Sequence, residues 1–358
     1  MTVSAASLPS GAGHGVAAGA WWAVHQAIQP LGGADPAFTD WVASRATALG
    51  VAATDVRTLL QAPFHAEAEA PVAGTALPVG APLLQVTAPL PALVARASLL
   101  QHTIALGFVA ATVAQALCDA ADGRPLVDDV TAHHPAPSTS PFLAWCGRVG
   151  GMSGTTHHRA GWAWELPVVG VPSIEAPPIE STDAVLDAND LHASVAGLAR
   201  RTMEWSQRPT RLSLDKPLID EHDIERHFQL RRALDRHGFR RTRICAEVNP
   251  SVDAIKQVVQ QDVPVDILII RKPWWTVGAS VQARVLEPSL EGPPTAGSPV
   301  GGVPRVQLVR TGDQVSVQPW PSQGLLQPIA ASGSNATALP PVLPRDHPLR
   351  TAPSPSIS

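Results

Sequence analysis

Tyrosine is absent from the sequence, and aromatic residues make up only 4% of its 358 residues, although tryptophan occurs 10 times. Lysine is scarce, so arginine supplies most of the positive charge. The 3 cysteines form no C-x-x-C motif of the kind that binds zinc, and their odd number and wide spacing argue against a disulfide framework. We therefore expect Cys118, Cys146 and Cys245 to be reduced residues of a cytoplasmic protein.

An excess of positive charge is also missing, since the formal net charge is −4. This gives no electrostatic reason to expect a nucleic acid or a membrane as a partner. A signal peptide has a positively charged region before its apolar segment, but no Lys or Arg precedes the apolar residues Ala17–Trp22. The N-terminus therefore does not resemble a signal peptide. The longest apolar run, Pro91–Cys118, contains Arg96, so we expect no segment that spans a bilayer.

Strands and helices alternate regularly in the second half of the sequence, which is typical of parallel βαβ units. The expected strands there are Thr210–Leu214, Thr242–Val248 and Val265–Ile270; the helices between them are Glu221–His237 and Ser251–Gln260. Earlier and later elements are helices at Gly19–Gln29, Pro91–Ala120, Pro141–Val149 and Asp183–Gln207, extended segments within Pro71–Val86 and Pro125–Val130, and a hairpin within Val303–Gln318.

Ligands of parallel sheets bind beyond the carboxyl ends of the strands. Those ends are expected at Val130–His134, Gly170–Glu175, Leu214–Pro217, Val248–Ser251 and Ile270–Pro273. The segment Gly150–Gly170, which reads GGMSGTTHHRAGWAWELPVVG, has small residues that let a backbone approach a ligand. Its last five residues suit a short covered strand, and Trp162 and Trp164 are interpreted as packing anchors. A glycine-rich surface turn is the alternative interpretation.

Several motifs occur in the order found in the nicotinate phosphoribosyltransferase family, the type II phosphoribosyltransferases of pyridine-nucleotide salvage, which the chain resembles over about residues 20–325. Ala73-Gly74-Thr75 with Ala81–Val86 resembles the family's Glu-Gly-Thr and Glu-Pro-Leu-Leu-Arg-Val. Gly123-Arg124-Pro125 resembles the turn into its first barrel strand. Gly150–Gly161 resembles its Gly-Gly-Phe-Asp-Gly-Thr-Ser-Asn-x-x-Ala-Gly stretch, and Val306–Gln318 its late hairpin.

The resemblance implies an α/β fold: an irregular α/β barrel with a smaller α+β domain built mainly from the N-terminal region. On this basis residues 16–122 are expected to form the N-terminal domain with a long connecting helix, 123–275 the barrel, and 276–330 a segment with a hairpin that returns to the small domain. From composition alone, the Ser/Gly/Ala-rich residues 1–15 and the tail 331–358 are expected to be disordered. The resemblance further implies a dimer whose active site lies between subunits. Family members join nicotinate to phosphoribosyl pyrophosphate and couple ATP hydrolysis through a phosphorylated histidine.

Most positions that carry this chemistry in the family differ here. The family's first barrel strand ends in an arginine pair, which is missing from the corresponding stretch Val130–His134, and the Asp-Gly-Thr-Ser-Asn stretch is Ser153–His157. The phosphorylated histidine corresponds to Ile174, one residue after Ser173. Glu247 stands at a Ser-Gly turn that docks an anion in the family, and bulky residues with Pro273 replace a Gly-Val-Gly-Thr loop. Asp215 alone matches the family's acidic strand end.

Three hypotheses follow. The first is a protein that has lost the parent reaction and acts as a non-catalytic partner, as a homodimer or with an active paralogue, or that binds another ligand in the old pocket. The second is a divergent active phosphoribosyltransferase, in which Arg271 and Lys272 hold a phosphate, Asp215 orders a metal or ribose, and Mg²⁺ and ATP are used. A basic surface loop is the alternative interpretation of Arg271 and Lys272.

The third hypothesis is a metal site, with His133 and His157 as ligands and a carboxylate of Asp128, Asp129 or Glu175 completing it. Polar replacements in a pocket without catalytic demand are the alternative. We assign no cofactor from the sequence. The complete set of predicted pocket residues is His133, His134, Ser153, Gly154, Thr155, His157, Ser173, Glu247, Arg271 and Lys272, with Asp215 as the catalytic candidate.

Overall fold

The computed structural model describes residues 2–5, 14–28, 66–78, 81–88, 90–130, 139–168, 183–205, 211–218 and 220–276, eleven positions between 37 and 58, and the strands at 283–286, 306–311, 314–319 and 326–328. The chain divides into two compact units. The first comprises Met1–Thr112 and Ala279–Ser358, and the second comprises Val113–Gly278. The expected disordered tail at 331–358 lies outside the described residues.

The helices are α1 (Ala20–Ile28), α2 (Leu90–Ala120), α3 (Ser140–Val149), α4 (His158–Trp164), α5 (Leu191–Trp205), α6 (Glu221–Arg236) and α7 (Val252–Gln260), with a short 3₁₀ turn at Trp274–Thr276. The strands are β1 (Thr2–Ala5), β2 (Gly15–Val16), β3 (Glu67–Pro71), β4 (Ala76–Leu77), β5 (Pro82–Thr87), β6 (Leu126–Asp128), β7 (Gly154–Thr155), β8 (Asp183–Leu186), β9 (Arg211–Leu214), β10 (Arg243–Glu247), β11 (Ile267–Ile270), β12 (Ala283–Leu286), β13 (Val306–Thr311), β14 (Gln314–Pro319) and β15 (Leu326–Pro328).

The first unit contains a five-stranded sheet in the order β12-β1-β5-β3-β15, whose described pairs are antiparallel. Its core includes Val3, Leu84, Leu100 and Phe108, all fully buried. Residues 1–15 were expected to be disordered, but β1 and β2 lie there, so that expectation is wrong for these strands. The local composition does not predict β1, because this strand is stabilised by segments distant in sequence. It pairs with β5 and β12, and Val3 is buried in the core.

Helix α2 begins with a proline in its first turn, where the missing N–H costs no hydrogen bond. It ends where Asp122 and Gly123 take left-handed backbone conformations, with φ of 48° and 80°. In the described chain it is the one helix long and apolar enough to cross a membrane by length and composition alone, over Arg96–Ala120. Of its most apolar window, 67% is buried inside the structure, as in the core helix of a soluble protein.

The second unit contains a six-stranded sheet in the order β7-β6-β11-β10-β9-β8, and every pair described is parallel. All four residues of β11 are buried, as expected for a strand covered on both faces. Helix α6 starts with a capping box, in which the side chains of Asp220 and Asp223 each accept the other's backbone N–H. Because all strands are parallel, their carboxyl ends lie at one edge of the sheet.

Two details of the expected elements are wrong. Residues 183–186 are strand β8 rather than the first turn of a helix, because they pair with β9 and extend the sheet. A short apolar run such as Ala184–Leu186 fits either structure by periodicity alone. Helix α5 starts only after Asp190, whose carboxylate accepts the backbone N–H of Ala193. Ser251 does precede α7, but its side chain makes no capping hydrogen bond.

Candidate functional site

The carboxyl edge of the six-stranded sheet carries a polar side chain at the end of every strand. Strand order, rather than chain order, decides which of them are neighbours. In that order the ends are Thr155 and Thr156 (β7), Asp128 and Asp129 (β6), Arg271 and Lys272 (β11), Glu247 and Asn249 (β10), Asp215 and Lys216 (β9), and Asp187 and Asn189 (β8). We call this row the strand-end row.

Asp128 is a fully buried carboxylate that ties three segments together. Its Oδ1 accepts the backbone N–H of Val130 at 3.1 Å and the indole N–H of Trp274 at 3.1 Å. Its Oδ2 accepts the hydroxyl of Thr155 at 3.2 Å. Buried carboxylates are stable when such donors replace water. Asp128 therefore holds the end of β6 against β7 and against the turn after β11.

Trp274 fills the space above this carboxylate. Its indole is fully buried, and it lies so close to helix α3 that a Cβ on Gly147 would be 3.3 Å from the ring. Met152 lies beside the same glycine, at 3.0 Å from that Cβ position. The missing side chain of Gly147 thus leaves room for the indole. Trp274 therefore fills the space at this edge of the sheet.

Arg271 bridges the strands on either side of β11. Its Nε donates to Asp129 Oδ2 at 2.8 Å, and its Nη1 donates to Glu247 Oε2 at 3.3 Å. The side chain of Asp129 is 8% exposed and that of Glu247 19% exposed, whereas Arg271 is 38% exposed. Thr156 extends this series of hydrogen bonds, since its hydroxyl donates to Asp129 Oδ1 at 2.6 Å. The predicted phosphate ligand Arg271 is therefore neutralised by two carboxylates.

The two lysines of the strand-end row have neutral partners instead. Lys272 Nζ donates to Asn249 Oδ1 at 2.7 Å, and Lys216 Nζ donates to Asn189 Oδ1 at 2.5 Å. In the described chain neither lysine forms an ion pair, so each keeps its charge towards solvent. Asp215, the predicted catalytic residue, is exposed, and its Oδ1 accepts the backbone N–H of Ala188 at 2.8 Å. That contact joins the ends of β9 and β8.

The segment Gly150–Gly170 lies beside β6 but differs from the predicted covered strand. Ser153 precedes β7, and Gly154 and Thr155 form it by pairing with Val127 and Asp128. Of the strand predicted at its end, Val169 and Gly170 lie outside the described residues. Within the described part, Val168 forms a single bridge with Thr155 and is 40% exposed. The backbone turns before it at Glu165, whose φ is 49°.

Trp162 is 85% exposed, so its interpretation as a packing anchor is wrong. It lies on the solvent side of α4, opposite the buried Ala160. Trp164 lies within α4, but its side chain is outside the described part of the structure. Cys146, by contrast, is fully buried as predicted, and burial raises the pKa of its thiol well above the ordinary value.

His157 is the N-cap of α4, and its Nδ1 accepts the backbone N–H of Ala160 at 3.1 Å. This contact requires a neutral imidazole with its proton on Nε2. Partial burial lowers the pKa of His157, which favours the neutral form that caps the helix. Because Nδ1 is occupied, the residue has a structural role that the sequence analysis missed, although a polar residue before a short helix is a capping signal.

Several predicted site residues lie outside the described part of the chain, namely His133, His134, Ser173 and Glu175. The metal hypothesis paired His133 with His157 and a carboxylate. Among the residues that the structure does describe, no group of three or more His, Cys, Asp or Glu side chains is arranged to hold a metal ion. Asp128 and Asp129 instead accept hydrogen bonds from Thr155, Thr156, Trp274 and Arg271.

No family model matches the sequence, and no curated protein matches it either. Solved structures do. The crystal structure of nicotinate-nucleotide pyrophosphorylase from Pyrococcus furiosus is similar with a TM-score of 0.63 and 17% identity, over 92% of this chain and 82% of that one. Human nicotinic acid phosphoribosyltransferase is similar with a TM-score of 0.58 and 15% identity, over 91% and 83%. The predicted fold is confirmed: the chain has the fold of the type II phosphoribosyltransferases.

Proposed function

We propose that this protein keeps the type II phosphoribosyltransferase fold without the phosphoribosyl transfer reaction, and that it acts as a non-catalytic partner or binds a different ligand. Solved proteins of similar fold include a nicotinate-nucleotide pyrophosphorylase and a nicotinic acid phosphoribosyltransferase. Enzymes of this kind hold several phosphate groups at once. That requires cationic side chains and backbone N–H groups that are free to bind them.

One observation carries the proposal: the arginine of the strand-end row is bound by two carboxylates of the same row. Arg271 is held by Asp129 and Glu247. The row contains three cations, Arg271, Lys272 and Lys216, and five carboxylates, those of Asp128, Asp129, Glu247, Asp215 and Asp187. Carboxylates outnumber cations, so the row repels a pyrophosphate group rather than attracting it.

Trp274 supports the same conclusion on steric grounds. The family's glycine loop after this strand exposes backbone N–H groups, as the resemblance implies. Here that position is followed by a proline and by an indole that is fully buried against Asp128. Trp274 therefore occupies the space beside Asp128, at the end of β6, that a bound group would otherwise use.

The test is isothermal titration of the full-length protein with phosphoribosyl pyrophosphate and Mg²⁺, with and without nicotinate, followed by an assay for nicotinate mononucleotide. We expect no product and no micromolar binding. Micromolar binding with turnover would overturn the proposal. Size-exclusion chromatography with light scattering then measures whether the protein pairs with itself, the expected arrangement when no paralogue is present.

A divergent active transferase is a second candidate, and one observation favours it. Within the described chain, Lys272 and Lys216 donate hydrogen bonds to amide oxygens and form no ion pair, so their charge is available to a phosphate group. If this candidate is correct, the product assay is positive and Lys272→Ala lowers kcat/KM. Lys256→Ala is the matched control, because Lys256 is exposed on α7 and lies away from the strand-end row.

A further inference from the structure

The two contacts of Arg271 differ in a way that suggests an anion site closed from within. The Nε contact with Asp129 is short and almost buried, whereas the Nη1 contact with Glu247 is longer and more exposed. Salt bridges weaken as exposure to water increases. The Asp129 contact therefore fixes the arginine, and the Glu247 contact is the one that exchanges.

The guanidinium has N–H groups beyond those that bind Asp129 and Glu247. These two hydrogen bonds use two of its five N–H groups, and within the described chain no hydrogen bond from Nη2 is found. The fork formed by Nη1 and Nη2 binds a carboxylate or a phosphate through two parallel hydrogen bonds. Glu247 uses only one arm of that fork.

We infer that Arg271 is an oxyanion receptor that Glu247 keeps closed, and that a phosphate or carboxylate group opens it by displacing the Glu247 side chain from Nη1. This inference deepens the proposed function, because it assigns the closure of the strand-end row to one exchangeable contact. Asp129 keeps the guanidinium in place while the exchange occurs. Lys272, the next residue, adds positive charge beside the fork.

The experiment compares inorganic phosphate and acetate binding to the full-length protein at low ionic strength. The variants are Glu247→Gln, which removes the competing charge and keeps the side-chain volume, and Glu247→Gln combined with Arg271→Gln. Glu221→Gln is the matched control, since Glu221 is an exposed carboxylate in the first turn of α6 and removes the same charge elsewhere.

We expect Glu247→Gln to bind phosphate about fivefold more tightly than the wild type, because an exposed to half-buried ion pair of ordinary strength is lost. Adding Arg271→Gln should abolish the gain, and Glu221→Gln should behave as the wild type. Acetate distinguishes the ligand: a similar gain for acetate shows a general oxyanion site, and a gain for phosphate alone shows a phosphate site.

The inference is wrong if Glu247→Gln binds neither anion more tightly, or if the gain persists when Arg271 is removed. A second measurement does not depend on the variant: in the wild type, phosphate should shift the ¹⁵N resonances of the Arg271 Nη groups and leave the Nε resonance in place. Equal shifts at Nε would show that Asp129 is displaced instead. These outcomes are independent of the nicotinate mononucleotide assay, so failure here is distinct from failure of the proposed function.

Discussion

Replacement of Asp128 by alanine should destabilise the second unit more than any charge removal at its surface. The substitution leaves the indole N–H of Trp274 and the backbone N–H of Val130 buried without an acceptor, because both donors are fixed in direction. The hydroxyl of Thr155 also loses its acceptor, but it can rotate. A buried donor without an acceptor costs about 1–3 kcal/mol. We therefore expect a loss of about 3–5 kcal/mol.

Asp128→Asn separates the loss of hydrogen bonds from the loss of charge. The asparagine carbonyl oxygen can take the place of Oδ1 and accept from Val130 and Trp274. Its amide then faces the Thr155 hydroxyl, which can accept instead of donating. The expected cost is about 1–2 kcal/mol, since only the charge assistance of the hydrogen bonds is lost.

Urea-induced unfolding followed by circular dichroism measures both values, and a shift of the midpoint at constant slope shows a change of stability alone. Hydrogen exchange of the Val130 amide reports on the site itself. Asp235→Asn is the matched control: its carboxylate pairs with Arg231 at 2.7 Å on the surface of α6 and is 46% exposed, so its loss should cost less than about 1 kcal/mol. If Asp128→Ala and Asp128→Asn differ by less than about 1 kcal/mol, the role assigned to the carboxylate oxygens is wrong.

Two further predictions concern the same unit. Gly161→Ala places a Cβ 2.0 Å from Val168 Cγ2 and should cost about 1–3 kcal/mol in urea unfolding, most of which Val168→Ala should restore; an equal loss in the double variant would contradict this. Burial lowers the pKa of His227 from its ordinary value of about 6.5, so the unfolded chain takes up more protons and stability falls as the pH drops below about 6.5. His227→Leu should reduce the loss of thermal stability between pH 7.5 and 5.5, and an unchanged pH dependence would refute it.

Much of the fold was predictable because it depends on local patterns. The alternation of strands and helices from 210 to 270 gave β9, α6, β10, α7 and β11, with boundaries within three residues of those observed. The long helix at Leu90–Ala120 was equally clear from its spacing of apolar residues. Strands β1 and β8 were missed because both are short, and each owes its conformation to partners distant in sequence.

The candidate site was predictable in position but not in chemistry. The rule that ligands bind at the carboxyl ends of parallel strands placed Arg271 and Asp215 at one edge of the sheet, and the family resemblance added Glu247. It gave no indication that Arg271 would contact Asp129, which lies 142 positions away. Nor did it indicate that Trp274 would be buried against Asp128, 146 positions away. Such contacts depend on strand order, which local patterns do not determine.

Strand order also explains why the basic pair Arg271-Lys272 does not by itself indicate an open phosphate site. Read along the chain, it is a basic turn suited to a phosphate. In the sheet, β11 lies between β6 and β10, whose ends carry Asp129 and Glu247, so a cation is enclosed by two anions. Lys272 differs, because its Nζ donates to the neutral amide oxygen of Asn249 rather than to a carboxylate. The two adjacent cations therefore differ in availability, which is why Glu247→Gln, rather than a lysine substitution, should reveal the anion site.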